Sequence, residues 1–239
     1  MYINGGQEIV SALRYDLINI IDLIDISAIN ELLGIEINGD TVTIGASERH
    51  ATLANSKLLK KHTPVLSLLA ENIGDAQVRN RGTIGGSIAS RGTSSDWKAA
   101  LLALDGIVHT TQSAYPAQDY ITGKGLDSGE LIIKISFHIP HAATYQKQSN
   151  LASTEALVGV FVSRIKKSCR VTVICGSNKP FRITSAEAAL EKNFSSKSIG
   201  SGLITPTNLP TDIHAGAEYR SSLIDVLTRR AVDSCIRSL

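Results

Sequence analysis

The sequence is poor in cysteine, in aromatic residues and in long hydrophobic runs, and each shortage excludes a class of protein. Its three cysteines, Cys169, Cys175 and Cys235, match no disulfide framework and no zinc or iron–sulfur motif in number or spacing. We therefore expect free, mostly buried thiols. No hydrophobic run is long enough to span a bilayer, and the N-terminus lacks the pattern of a signal peptide. These absences predict a cytoplasmic protein with no metal site and no membrane span.

Charge of either sign is also not in excess. The 239 residues contain 24 Lys and Arg against 22 Asp and Glu, which gives a net charge of +2. Such a balance does not indicate a polyanionic partner, so we expect no nucleic-acid binding. Hydrophobic residues make up 43% of the chain, which is typical of a folded domain. The length suffices for one large domain or two small ones.

The most informative stretch that is present is residues 79–90, RNRGTIGGSIAS. Gly85 and Gly86 carry no Cβ, so a ligand could approach the backbone closely, and successive amides in such a turn can form an anion site. Thr83 and Ser87 add hydroxyl donors. The alternative is a tight turn flanked by solvated arginines, and short glycine motifs leave both readings open.

A second glycine pair stands near the N-terminus, in residues 2–9, YINGGQEI. By itself Gly5-Gly6 also reads as a turn. Two such loops in one chain, with a helical pattern soon after the second, favour one extended diphosphate ligand held between them.

Residues 77–89, QVRNRGTIGGSIA, and residues 96–105, DWKAALLALD, resemble the FAD-binding medium subunit of molybdenum hydroxylases. That family includes the carbon monoxide dehydrogenase type and the flavin domain of xanthine dehydrogenase, and the resemblance covers nearly the whole chain. It implies an α+β fold in two lobes. A PCMH-type FAD-binding domain would span residues 1–142, and a small antiparallel sheet packed with helices, like the C-terminal domain of the carbon monoxide dehydrogenase flavoprotein, would span residues 143–239.

The resemblance also implies a cofactor, FAD, and a set of residues around it. Both glycine pairs would admit the pyrophosphate, with backbone amides and Thr83 as donors, Asp96 would hold a hydroxyl of the nucleotide, and Ile132 and Lys147 would border the flavin ring. No catalytic residue is required, because the cofactor carries the chemistry. The implied cofactor-binding residues are Ile3, Asn4, Gly5, Gly6, Gln7, Glu8, Ile9, Thr83, Ile84, Gly85, Gly86, Ser87, Asp96, Ile132, Ile133 and Lys147.

Several of these residues have simpler readings. Asp96 could be a plain capping acid at a helix start. Ile132 and Ile133 could be ordinary core, which the sequence alone favours, and Lys147 could be a solvated charge on a strand. Glu8 would repel a pyrophosphate, so it should bond a ribityl or ribose hydroxyl or point away.

By resemblance, the function is electron transfer within a molybdenum hydroxylase. An iron–sulfur small subunit and a molybdopterin large subunit would complete a dimerised heterotrimer, and this chain would pass electrons to an external acceptor. Two alternatives stay open: a flavin-free structural or assembly subunit, and a stand-alone flavin oxidoreductase.

The chain departs from the family pattern in four places, one of which is Glu8, where many bacterial members have serine although the xanthine dehydrogenase pattern has this residue. Family members carry a strand and a helix before the first glycine loop, whereas Met1 stands almost at the loop, so we expect an unpaired edge beside residues 2–4 and a loosened loop. Ser87 replaces a common asparagine and keeps a donor with a shorter reach. Gly92-Thr93 stands where Asp-Pro is frequent.

Local patterns predict the main elements. Asn38-Gly39 between alternating apolar residues predicts a hairpin over residues 35–44, and Thr63-Pro64 predicts an N-cap followed by a helix. Strands are expected at residues 107–111, 131–139, 156–165 and 169–175, a short helix at 185–192, a loop at 195–210 and a long helix from Ala217. Residues 177–182 resemble the family loop that follows this sheet, so the resemblance implies a loop there.

Overall fold

The computed structural model describes residues 1–90, 95–123, 125–150, 155–176 and 178–237, without the side chain of Asn178. The chain forms two compact units. The first contains Met1–Arg91 and Ile107–Phe137, and the second contains Gly92–Gly106 and His138–Leu239. Helices and mainly antiparallel sheets make up both, which confirms the α+β class. The predicted boundary near residue 142 stays a prediction, and Gly92-Thr93 lies outside the described residues.

The first unit is built on a five-stranded sheet flanked by short helices. Its strand order is β3-β4-β7-β5-β6, and a separate parallel pair, β1-β2, lies at the N-terminus. Its strands are β1 (Tyr2–Ile3), β2 (Ile24–Asp25), β3 (Ile35–Asn38), β4 (Thr41–Gly45), β5 (Ile107–Thr110), β6 (Ala114–Pro116) and β7 (Ile132–His138). Its helices are α1 (Ile9–Arg14), α2 (His50–Asn55), α3 (Lys57–His62), α4 (Pro64–Glu71), α5 (Ala76–Arg81), α6 (Ile84–Ala89) and α8 (Ala117–Thr122).

The predicted hairpin is confirmed. β3 and β4 pair antiparallel, with Ile37 opposite Val42 and Asn38 opposite Thr41. Gly39 has a φ of +59°, a left-handed conformation that glycine adopts without the Cβ penalty of other residues. The hairpin delivers the chain to residues 46–49, which contact the second glycine loop.

The start of α4 differs from the sequence pattern in one detail. α4 begins at Pro64 as predicted, but Thr63 makes no side-chain capping bond, and within the described residues its buried hydroxyl has no partner. β1 is paired on one side, through a parallel register with β2. α1 buries none of its residues, so this helix adds little to the core of the unit.

The second unit is a four-stranded antiparallel sheet packed against helices, with strand order β11-β10-β9-β8. Its elements are α7 (Asp96–Ala103), β8 (Ala142–Ser149), β9 (Ala156–Ile165), β10 (Ser168–Cys175), β11 (Asn178–Arg182), α9 (Thr184–Lys192) and α10 (Ala217–Arg237). Apolar residues of three strands and of α9 and α10 form one continuous core, in which all three cysteines are buried. They are free thiols, as the sequence predicts.

The loop predicted over residues 177–182 is wrong where the structure describes it. Residues 178–182 form β11, which pairs with β10 through Thr172–Arg182 and Val173–Phe181. β11 contains Pro180, and it is an edge strand, where proline is tolerated because one row of amides faces outward.

The predicted loop at 195–210 contains two single 3-10 turns, Ser196–Ser198 and Pro206–Asn208. α10 begins at Ala217 as expected and buries Ile224, Leu227 and Ala231, while Leu223 is half-buried. In the described part of the chain, no helix is both long enough and apolar enough to cross a bilayer.

Candidate functional site

The two glycine loops meet in the first unit. A Cβ added to Gly5 would overlap the carbonyl oxygen of Arg81 and lie 2.9 Å from the Cα of Gly82. Only a residue without a side chain allows the two backbones to approach this closely. Glu8 adds a second link, because its carboxylate accepts a short hydrogen bond from the hydroxyl of Ser90. The structure therefore brings together two segments that are about 75 residues apart in the chain.

The first loop keeps its amides available. Within the described residues, the backbone N–H groups of Gly5, Gly6, Gln7 and Glu8 donate no hydrogen bond to the protein. Gly6 has a φ of +75°, which turns the chain just before α1. Consecutive unpaired amides in such a turn form a concave site of positive potential, where an anion is favoured.

The backbone N–H groups of the second loop, by contrast, are bonded within the protein, so we call this loop closed and the first loop open. Ile84 N donates to Glu48 O at 3.0 Å, Gly85 N to Ala46 O at 2.9 Å, and Ser87 N to Thr83 O at 3.0 Å. Gly86 N donates to the Thr83 hydroxyl at 3.2 Å. These amides are used within the protein, so the expected role of this loop as an amide donor has no support in its hydrogen bonding.

Gly85 and Gly86 have different reasons to be glycine. A Cβ on Gly85 would lie 2.6 Å from Ala46 O and 2.7 Å from Ala46 Cβ, whereas a Cβ on Gly86 would meet only the Thr83 hydroxyl, at 3.1 Å. Gly85 is buried and Gly86 is exposed. Gly85 therefore serves the packing of α6 on residue 46, and Gly86 is the glycine at which the surface stays open. A cofactor contact at either glycine stays a prediction.

Buried His50 makes two polar contacts with the second loop. Its backbone N donates to Gly82 O at 3.0 Å, and its ring Nε2 lies 3.2 Å from the Ser87 hydroxyl. Burial, and then the charge of Arg79, lowers the pKa of His50 to about 4. The imidazole is therefore neutral at physiological pH, and it fixes the side chain of Ser87.

The other predicted residues of the first unit divide between polar links and core. Asn4 Nδ2 donates to the Ser47 hydroxyl at 2.6 Å. Ile84 and Ile132 are buried, so for Ile132 the structure agrees with the core reading. Ile133 is half-buried, and its carbonyl accepts from Ala46 N at 2.9 Å. Of the remaining predicted residues, Ile3 and Ile9 are half-buried, Gln7 is exposed and Thr83 is buried.

Asp96 and Lys147 pair with each other in the second unit. Lys147 Nζ donates to Asp96 Oδ2 at 2.9 Å, and both side chains are less than one-tenth exposed. Tyr145 donates its hydroxyl to Asp96 Oδ1 at 2.5 Å. Burial, followed by the charge of Asp96, raises the pKa of Tyr145 well above its usual value. Asp96 is therefore more than a capping acid, and Lys147 is not the solvated charge that the sequence left open.

Two further features of this cluster were not anticipated from the sequence. Gly159 leaves room for the Tyr145 ring, because a Cβ there would overlap the phenol oxygen. The buried hydroxyl of Ser95 has no partner within the described residues, although a serine before a helix usually caps it. A buried polar group without a hydrogen-bond partner is uncommon in folded proteins.

Sequence reasoning missed Ser47, His50 and the role of Tyr145. Ser47 and His50 follow β4 directly, and a polar run after a strand is a weak signal for a binding loop. Neither residue lies in a glycine motif, so no local pattern connects residues 46–50 to the second loop. In the described part of the chain, no group of three or more His, Cys, Asp and Glu side chains could hold a metal ion.

Comparison with known proteins gives a consistent result. Residues 1–142 match the family described as the FAD binding domain in molybdopterin dehydrogenase. The 6-hydroxypseudooxynicotine dehydrogenase complex subunit alpha of Paenarthrobacter nicotinovorans is 31% identical, covering 96% of this chain and 84% of the relative. The glyceraldehyde dehydrogenase medium chain of Sulfolobus acidocaldarius is 27% identical, covering 95% and 87%. Carbon monoxide dehydrogenase from Hydrogenophaga pseudoflava superposes with a TM-score of 0.87 at 23% identity, over 100% of this chain and 90% of that one, which establishes the fold.

Proposed function

The chain belongs to the family of FAD-binding domains in molybdopterin dehydrogenases, and on that premise we propose that it passes electrons from a partner subunit to an external acceptor. Family membership makes it an FAD-binding subunit of an oxidoreductase. The electron donor and the acceptor are part of the proposal, and the donor would be an iron–sulfur cluster of the partner.

The observation that carries the proposal is the row of available amides at Gly5–Glu8. They lie where the first loop contacts Arg81 and Gly82, and a pyrophosphate is the part of FAD that such amides fit. Gly6, with its positive φ, holds the turn open. When bound, FAD would supply the electron-accepting and electron-donating chemistry.

The rest of the chain would orient the cofactor and tune its charge. The Glu8 carboxylate accepts a hydrogen bond from the Ser90 hydroxyl. This hydrogen bond would reduce the repulsion between the carboxylate and a phosphate. Asp96 accepts one bond on each oxygen and retains lone pairs for a nucleotide hydroxyl. The ammonium of Lys147 would favour added negative charge on the flavin ring. Ser95 would donate the hydrogen bond that it does not make within the described protein.

The proposed partners follow from the names of the relatives. One relative is a complex subunit, and others are medium chains or a medium subunit. We propose by analogy that this chain works with a small iron–sulfur subunit and a large molybdopterin subunit, in a complex that dimerises.

Binding of FAD is the first test. The purified chain is mixed with excess FAD, passed through a desalting column and examined for retained visible flavin absorbance. We expect one FAD per chain, and strong loss of FAD in Gly6→Val, since valine resists a φ of +75°. Gly200→Val is the matched control, because nothing lies within 4 Å of a Cβ there. A colourless wild-type chain would indicate the structural, flavin-free alternative.

Electron delivery is the second test. The FAD-loaded chain is assembled with co-expressed iron–sulfur and molybdopterin subunits, and an oxidisable substrate is added without oxygen. Flavin absorbance should bleach only in the complete complex. Bleaching by substrate in the isolated chain would instead support a stand-alone oxidoreductase.

A further inference from the structure

A polar cleft lies among the short helices of the first unit, apart from the residues of both glycine pairs. It has a volume of about 290 Å³ and is lined by residues of α2, α3, α4 and α5. Three alanines leave the space, and five polar side chains surround it: Asn55, Lys60, Glu71, Arg79 and Asn80. The volume is near the lower end of the range for small-molecule sites.

Arg79 is held in place before any ligand arrives. Its Nη1 donates to the carbonyl oxygens of Ile73 at 3.1 Å and Gly74 at 2.9 Å, just beyond the end of α4. A guanidinium has five donors in a rigid plane, so this anchoring fixes the orientation of the others. A pre-oriented cation loses little side-chain entropy on binding an anion.

The other polar groups at the cleft are available to a ligand. Within the described chain, Lys60, Glu71 and Asn80 make no hydrogen bond or ion pair through their side chains. Asn55 donates its amide to Ala51 O at 2.9 Å, and its own carbonyl oxygen remains an acceptor. The cleft thus offers donors and acceptors that its own walls do not use.

The surroundings favour negative charge in the ligand. Residues 50–81, which contain the four helices, have five Lys and Arg against two Asp and Glu, although the whole chain has a net charge of only +2. Three of these cations lie on α3, and one of them, Lys60, lines the cleft. Positive charge concentrated around a concave site attracts and orients small anions.

We propose that this cleft binds a small oxyanion, a phosphate- or carboxylate-bearing molecule, between Arg79 and Lys60. Asn55 and Asn80 would bond the neutral polar groups of the same molecule. Glu71 would favour a ligand that also carries a hydroxyl or ammonium donor. The site goes beyond the proposed function, since none of its lining residues belongs to the predicted FAD set.

The test uses the full chain saturated with FAD, so that the glycine loops are occupied. Inorganic phosphate and, separately, succinate are titrated in while backbone amide shifts are followed by NMR. We expect saturable shifts centred on α3 and α5 with at least one probe. Lys60→Ala should weaken binding roughly tenfold, the usual worth of a charged hydrogen bond. Asn80→Ala should weaken it several-fold and should fold normally, because its side chain bonds nothing in the described protein.

Lys57→Ala is the matched control. Lys57 lies on the same helix, α3, and does not line the cleft. Its substitution removes the same charge, so binding should change less than twofold. A response to phosphate alone or to succinate alone identifies the oxyanion. The proposal fails if neither probe saturates, if Lys57→Ala and Lys60→Ala weaken binding equally, or if the shifts centre on residues 5–8. The titration can be repeated on the FAD-free chain, which should show the same α3 and α5 shifts. A failure of FAD binding therefore does not decide the proposal for the cleft.

Discussion

Two glycine pairs that look alike in sequence do opposite things in the structure. At Gly5-Gly6 the backbone amides donate nothing within the described protein, whereas those of Ile84, Gly85, Gly86 and Ser87 are all used inside it. The amides of the first pair are therefore available to a ligand, whereas those of the second loop are bonded within the protein. The difference shows that a glycine motif reports close approach of backbone without stating what approaches.

The partner of each glycine decides which role it has. Gly5 is a glycine because the Arg81 backbone is next to it, and Gly85 is a glycine because residue 46 is. In their hydrogen bonding the first loop is open and the second is closed, and FAD contacts at both loops stay a prediction. Substitutions can separate the two roles, because stability and FAD binding should respond differently.

Gly5→Ala should have the largest effect. Its methyl group would overlap Arg81 O, and backbone cannot yield as a side-chain tip can. We expect the two loops to move apart and the FAD affinity to fall about 100-fold, equivalent to roughly 3 kcal/mol, the upper range for overpacking. Equilibrium titration with FAD measures the change. Gly216→Ala, which meets nothing within 4 Å, should bind as the wild type does. Unchanged affinity in Gly5→Ala would show that FAD binding does not need the close approach of the two loops.

Acid should weaken the closed loop through His50. An unfolded histidine takes up a proton below pH 6.5, but buried His50 resists protonation until about pH 4. Its contribution is therefore complete above pH 6.5 and is lost as the pH falls towards 4, which amounts to roughly 3 kcal/mol. Denaturant unfolding at pH 7 and pH 4.5 should show a smaller loss in His50→Gln than in the wild type.

The exposed His214 provides the control for that experiment. His214→Gln should keep the full acid sensitivity of the wild type, because His214 is exposed. Parallel pH profiles for the wild type and His50→Gln would show that the closed loop does not depend on a neutral imidazole.

Gly85→Ala and Gly86→Ala should separate packing from openness within one motif. The first places a methyl group 2.6 Å from Ala46 O and should cost about 1–3 kcal/mol in the free energy of unfolding. The second, on an exposed helical glycine, should range from no change to a gain of about 1 kcal/mol. Urea titrations of both variants measure the free energy of unfolding. Equal losses of this free energy would mean that both glycines are packing residues.

Much of the fold followed from local patterns. The Asn38-Gly39 hairpin, the helix at Pro64 and strands β9 and β10 are confirmed, because turn chemistry and apolar periodicity act over a few residues. β11 was missed, because the resemblance implied a loop there and the pairing of β11 with β10 is a tertiary contact that no local pattern shows. The N-terminal pairing of β1 with β2 was equally invisible, since each strand has only two residues.

The candidate site was less predictable for the same reason. The glycines could be located, but their different roles depend on residues 46–50, which approach α6 only in the folded unit. Likewise Asp96, Tyr145 and Lys147 form a buried cluster across about 50 residues of sequence. Sequence reasoning found the residue types and missed the hydrogen-bond partners that decide what each is free to do.

The smallest expected effect tests the link between the open and the closed loop. Glu8→Ala removes the acceptor of the Ser90 hydroxyl. Because the pair is exposed, the loss in the free energy of unfolding should be at most about 1 kcal/mol. Gln7→Ala is the matched control, an exposed neighbour whose side chain makes no bond in the described residues. If the link holds the first loop against the second, Glu8→Ala should also lower FAD affinity, whereas Gln7→Ala should not. A rise in affinity would mean instead that repulsion between the carboxylate and the pyrophosphate outweighs the link.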